Sequence, residues 1–137
     1  VELRRKERRV SFPLAGFLAV GIGAALGAWA RWGLGVAFNR VVPELPLGTL
    51  IANLVGGFLI GVAVELFELK GHISPETRLF VITGFLGGLT TFSAFSGEAV
   101  SLLSQGRLGW AVAHIASHLL GSLALTFVGI WAVRALP

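Results

Sequence analysis

The residues with chemistry to offer are few, and most fall in one stretch: Thr83-Gly84-Phe85-Leu86-Gly87-Gly88-Leu89-Thr90-Thr91-Phe92-Ser93-Ala94-Phe95-Ser96. Two adjacent glycines and a Thr pair weaken a helix at its middle. Inside a bilayer, the backbone groups freed by such a break must find partners in protein, water or ions. Carbonyls at the end of the first half-helix suit a hard cation such as Na⁺, and the N–H groups opening the second suit an anion. A simple kink, with Thr hydroxyls bonded back to the carbonyls four residues earlier, fits the same residues. Phe92 and Phe95 lie three apart and share a helix face. Their positive ring edges could line an anion path without binding too tightly to release, or the rings could pack against lipid and neighbouring helices.

Asn53 is the strongly polar side chain in the middle of another apolar run. It could donate to a passing anion or staple two helices together. Steps of four link His114, His118, Ser122 and Thr126 into one polar stripe, with Ser117 off it. Such a stripe lines a path or bonds a neighbouring helix. The His pair has the i, i+4 spacing of a zinc site. A metalloprotease would place Glu after the first His, where this chain has Ile115, and the sequence shows no obvious third ligand nearby.

The elements that must hold these residues are legible from charge. Only 13% of residues are charged and 55% are hydrophobic, against about a quarter charged in soluble domains. Phe12–Ala30, Leu45–Val64, Leu79–Gly97 and Leu108–Val133 contain no Asp, Glu, Lys or Arg. Each is near the ~20 residues that cross a hydrocarbon core, and none shows the polar outer stripe of a soluble bundle. The expected fold is an all-α membrane protein with four transmembrane helices, the third of them broken. The spans run from about Phe12 to Phe38, Leu47 to Leu69, Pro75 to Ser104 and Leu108 to Arg134. Ser74 reads as an N-cap with Pro75 at the first helical position, and Gln105-Gly106-Arg107 as a tight turn.

Residues 1–10 read as a basic cytoplasmic tail and residues 11–137 as a single membrane domain. The basic cluster Arg4, Arg5, Lys6, Arg8 and Arg9 beside a span indicates cytoplasmic anchoring rather than nucleic-acid binding. The long first run, followed by further spans, also argues against a cleaved signal peptide despite the basic start and Ala28-Trp29-Ala30. Without the tail, Lys70, Arg78 and Arg134 on one side balance Arg31, Arg40 and Arg107 on the other, so the body is nearly neutral about orientation. The pairs Gly23/Gly27, Gly57/Gly61 and Gly84/Gly88 allow close backbone approach. Internal packing accounts for any one pair, but nineteen glycines in so small a chain favour a tightly packed dimer. The absence of cysteine excludes disulfides and thiolate chemistry, and no catalytic triad or cofactor motif points to an enzyme.

Gly48-Thr49-Leu50-Ile51-Ala52-Asn53-Leu54-Val55-Gly56-Gly57-Phe58, the third-segment stretch Gly84–Ser96 and the patch Gly27-Ala28-Trp29-Ala30-Arg31-Trp32 together resemble the CrcB/Fluc fluoride channels. The resemblance spans nearly all of the chain after the tail. It implies a multi-pass protein of the bacterial inner membrane, assembled as an antiparallel, dual-topology homodimer that exports fluoride passively. It also implies a central structural Na⁺ on the backbone carbonyls of Gly87 and Thr90. By the same resemblance Asn53, Phe92, Phe95, Ser122 and Thr126 belong to the fluoride pathway, with His114 and His118 on the same track. Relatives often carry Tyr at the position of His114, Ser at that of His118, and Thr at that of Ala94. Two other readings remain at this point. A proton-coupled exporter would need an intramembrane carboxylate, with Glu98 the best candidate and Glu65 near an edge. A non-transporting assembly subunit would pass no ion alone.

Overall fold

The computed structural model describes residues 13–136. The basic tail and the expected helix start at Phe12 lie outside them. Helix α1 spans Leu14–Phe38 and α2 spans Leu47–Lys70. A third helix, α3, occupies residues 75–89, with a π-helical stretch over Leu79–Leu86. Thr90 and Thr91 are extended, with ψ of 158° and 117°. The chain then resumes as α4, Phe92–Ser104, and turns into α5, Leu108–Arg134. Four units, with α3 and α4 taken as one, are long and apolar enough to cross a membrane. Large apolar side chains such as Phe17, Trp29, Leu119 and Trp131 point outward from them. An all-α, multi-pass membrane protein is the architecture, as expected from the charge-free runs.

Capping follows the sequence. Ser74 Oγ accepts from the Thr77 N–H at 3.1 Å, and Pro75 begins the helix. Gly71 ends α2 with φ +64°, and Gly106 turns the α4–α5 connection with φ +70°, both left-handed conformations that glycine adopts without strain. Beside that turn, Arg107 grips Glu44 of the α1–α2 loop at 2.7 Å. At the opposite end Arg134 makes a two-pronged bond with Glu65, at 2.9 and 3.0 Å.

Two expectations need correction. Gly87 and Gly88 do not form the break: they remain helical, and the extended residues are Thr90 and Thr91. Nor do the glycine pairs argue for a dimer. Gly23 and Gly27 lie on the backbone of Phe80 and Phe85, while Gly84 and Gly88 lie on that of Val20 and Ala24. Gly57 and Gly61 pack on Ser122 and Thr126. All six therefore bring α1 against α3 and α2 against α5 within one chain, as small residues do where there is no water to drive association. Ala52, Leu86 and Leu89 form the buried core between these two layers.

Candidate functional site

The break sits where α2 passes behind the third span, and its freed backbone groups have identifiable destinations. In an unbroken helix the Thr91 N–H would bond the Gly87 carbonyl. It donates instead to Asn53 Oδ1 at 2.8 Å. Asn53 Nδ2 donates back to the Thr91 carbonyl at 3.0 Å. The Ala94 N–H, which would have bonded the Thr90 carbonyl, is capped by Thr91 Oγ1 at 3.1 Å. Arg31 Nε takes the Gly88 carbonyl at 3.0 Å. The carbonyls of Gly87 and Thr90 are thus released from helical pairing, while those of Gly88 and Thr91 are claimed by side chains. Released backbone carbonyl oxygens are hard, neutral donors, the type that fits an alkali cation better than a soft metal.

A groove of about 610 Å³ opens beside the break. Asn53, Phe92, Phe95, His118, Ser122 and Thr126 all line it, together with Gly87 and Thr90. Among the described residues, no charged side chain does. The structure therefore brings nearly every residue singled out in the sequence to one wall. Phe92 and Phe95 stand 5.4 Å apart with their planes tilted by 56°, and Phe95 lies 4.9 Å from the His118 ring. Phe92 is 79% exposed. The Thr126 hydroxyl donates to the Gly57 and Ser122 carbonyls, both at 2.9 Å, so it ties α5 to α2 while facing the groove.

His114 departs from the stripe. It is fully buried and does not face the groove. It stacks behind Phe95, with centroids 5.4 Å apart and planes 18° from parallel. Its Nε2 lies 3.3 Å from the Phe95 carbonyl and 3.6 Å from Glu98 Oε2. The sequence missed this neighbour: Glu98 is the third potential ligand that the His pair lacked, and ligand atoms of Glu98, His114 and His118 lie within 4.8 Å of one another. Ser117 bonds back to the His114 carbonyl and takes no part.

A second cavity, of about 560 Å³, adjoins the first through Thr91. Its wall carries Arg31, Arg40, Thr49, Ala94 and Glu98. Thr49 Oγ1 donates to Glu98 Oε1 at 2.8 Å. Arg31 was read from sequence as a flanking charge, whereas its guanidinium reaches the break. A basic residue within a span is a functional candidate by default, and that signal was available. The cavity wall thus carries two arginines and one carboxylate, beside a groove lined by neutral residues.

Residues 18–130 match the family described as CrcB-like protein, Camphor Resistance (CrcB). A protein of Cupriavidus pinatubonensis named fluoride-specific ion channel FluC is 59% identical over 121 residues, covering 88% of this chain and 96% of that one. A Ralstonia pickettii protein of the same name is 62% identical over 119 residues, covering 87% and 94%. These relatives are named as channels and not as enzymes. From the matched span and these identities, the chain belongs to the CrcB-like family of membrane proteins.

Proposed function

We propose that this protein is a fluoride channel that lets fluoride leave the cytoplasm across the inner membrane, down its gradient. The observation that carries this reading is the junction at Thr91 between an arginine-bearing cavity and an uncharged groove lined by Phe92, Phe95, His118 and Ser122. Fluoride is small and strongly hydrated. Replacing its water calls for hydroxyl and N–H donors and ring edges, while a full positive charge in the narrow part would hold the ion too long. The relatives' names support the same ion.

Two finer features belong to this proposal. Na⁺ sits on the Gly87 and Thr90 carbonyls, where it lowers the electrostatic cost of a nearby anion. The working unit is an antiparallel homodimer, supported by the near balance of basic residues about the body and by the exposed Phe92, which needs a second surface to close the groove. Glu98 is engaged by Thr49 and His114 and lies beside the path, which suits a vestibule better than a proton-exchanging exporter.

Reconstitution in liposomes tests the reading directly. Fluoride efflux, measured with an ion-selective electrode, is expected to exceed chloride efflux and to fall when Na⁺ is replaced on both sides by a large organic cation. Absence of fluoride efflux in Na⁺ buffer refutes it. Crosslinking between a single introduced cysteine on each of two oppositely oriented copies tests the assembly.

A further inference from the structure

The protonation pattern of His118 follows from its neighbours. The Thr91 N–H can only donate, so the Asn53 atom 2.8 Å away is the carbonyl oxygen Oδ1. The other end of the amide, Nδ2, faces the Thr91 carbonyl and His118 Nδ1, each at 3.0 Å. An amide NH₂ has two protons and offers no acceptor. One proton goes to the Thr91 carbonyl, so the other goes to His118 Nδ1, which must accept. A neutral imidazole with an accepting Nδ1 carries its proton on Nε2. That nitrogen is buried and has no partner among the described residues, and His118 lines the groove.

We infer that Asn53 is a positioning residue: clamped by the Thr91 backbone, it holds His118 as the Nε2–H tautomer, so the ring at the groove wall carries a donor on its buried nitrogen and withholds the lone pair a cation would need.

The inference rests on the fluoride reading for its purpose, but the tautomer stands on geometry alone. Its consequence is sharpest at the adjoining cluster. Glu98, His114 and His118 form a His₂Glu set, the donor combination that holds Zn²⁺ with one position open. Among the described residues, Glu98 Oε2, His114 Nδ1 and His118 Nε2 are all buried without a hydrogen-bond partner. A zinc-bound imidazole needs a bare nitrogen toward the metal and an N–H toward a carboxylate or carbonyl behind it. His118 has the reverse arrangement, because an amide N–H stands behind it. The Asn53 clamp therefore keeps a transition-metal trap from completing beside the anion path. An Asp at position 53 would accept from Nδ1–H, turn the lone pair of Nε2 forward and complete a carboxylate–histidine pair.

The test uses purified full-length protein in detergent. Nitrogen-15 spectra of histidine-labelled protein report which ring nitrogen carries the proton, with His118 assigned by its loss in His118→Ser. Wild type is expected to show His118 as the neutral Nε2–H form without fluoride. Asn53→Asp is expected to show the Nδ1–H form and to bind Zn²⁺ about tenfold or more tighter by calorimetry, the size of effect typical of partners behind a zinc ligand. That gain should vanish in the Asn53→Asp/His118→Ser double variant. A wild-type His118 protonated on Nδ1, or on both nitrogens, overturns the inference. So does equal Zn²⁺ affinity in wild type and a folded Asn53→Asp. If Asn53→Asp does not fold, the wild-type spectrum decides alone. Adding fluoride separates the two levels: an Nε2–H form whose resonance ignores fluoride upholds the tautomer and counts against the channel reading.

Discussion

Asn53 and Thr91, thirty-eight residues apart in sequence, exchange two hydrogen bonds, from the Thr91 N–H to Oδ1 at 2.8 Å and from Nδ2 to the Thr91 carbonyl at 3.0 Å. The side-chain amide thus substitutes for the helical partners that the break removes.

Asn53→Ala would leave that part-buried N–H and carbonyl without their side-chain partner. Each unsatisfied group costs about 1–3 kcal/mol, so the variant should lose about 2 kcal/mol or more of stability. Denaturation in detergent measures this loss. Unchanged stability would mean that water replaces the amide freely.

Phe92→Ile should abolish most fluoride flux while leaving folding intact, because Phe92 is largely exposed in the single chain. The check is fluoride efflux alongside size-exclusion behaviour. Full flux in the variant would remove the ring from the pathway.

Arg31→Gln should reduce fluoride flux by about tenfold, equivalent to about 1.4 kcal/mol. It removes a cation from the entrance cavity and the bond that claims the Gly88 carbonyl. Electrode traces at several fluoride concentrations measure the change, and an unaltered rate would confine Arg31 to a structural part.

Gly88→Val drives side-chain atoms into the Ala24 and Ala28 backbone and should destabilise by about 1–3 kcal/mol or more. Gly33→Ala meets nothing within 4 Å and should be neutral, or stabilise by up to about 1 kcal/mol through helix propensity. Paired thermal melts compare them.

Acid should weaken one tie outside the spans. The Arg107 guanidinium holds the Glu44 carboxyl below its ordinary value of 4.5. A carboxyl lowered on folding stabilises the fold above its unfolded value, and this contribution disappears as pH falls through the lower folded value. Glu44→Gln should therefore differ slightly from wild type at neutral pH and match it well below pH 4.5, with the neutral-pH difference shrinking in high salt. Melting curves across pH and salt report it.

The amino-acid sequence by itself determined the spans, because hydrocarbon excludes charge and the charge-free runs can be counted. It also located the weak point of the third span and put Phe92 with Phe95 and His118 with Ser122 and Thr126 on common faces, since helical periodicity fixes what shares a face. Only the tertiary structure decided which faces meet. The sequence could not show that the glycine pairs are consumed within the chain, that Thr90 and Thr91 rather than the glycines open the break, or that His114 turns away from the groove. Nor could it bring Glu98 to the His pair or Arg31 to the Gly88 carbonyl. Those outcomes depend on how closely α1 approaches α3 and α2 approaches α5, a property of packed surfaces and not of any one segment's pattern. The clamp between Asn53 and Thr91 illustrates the division. Sequence shows one amide in an apolar helix, and packing supplies the two backbone groups and the imidazole that give it a task.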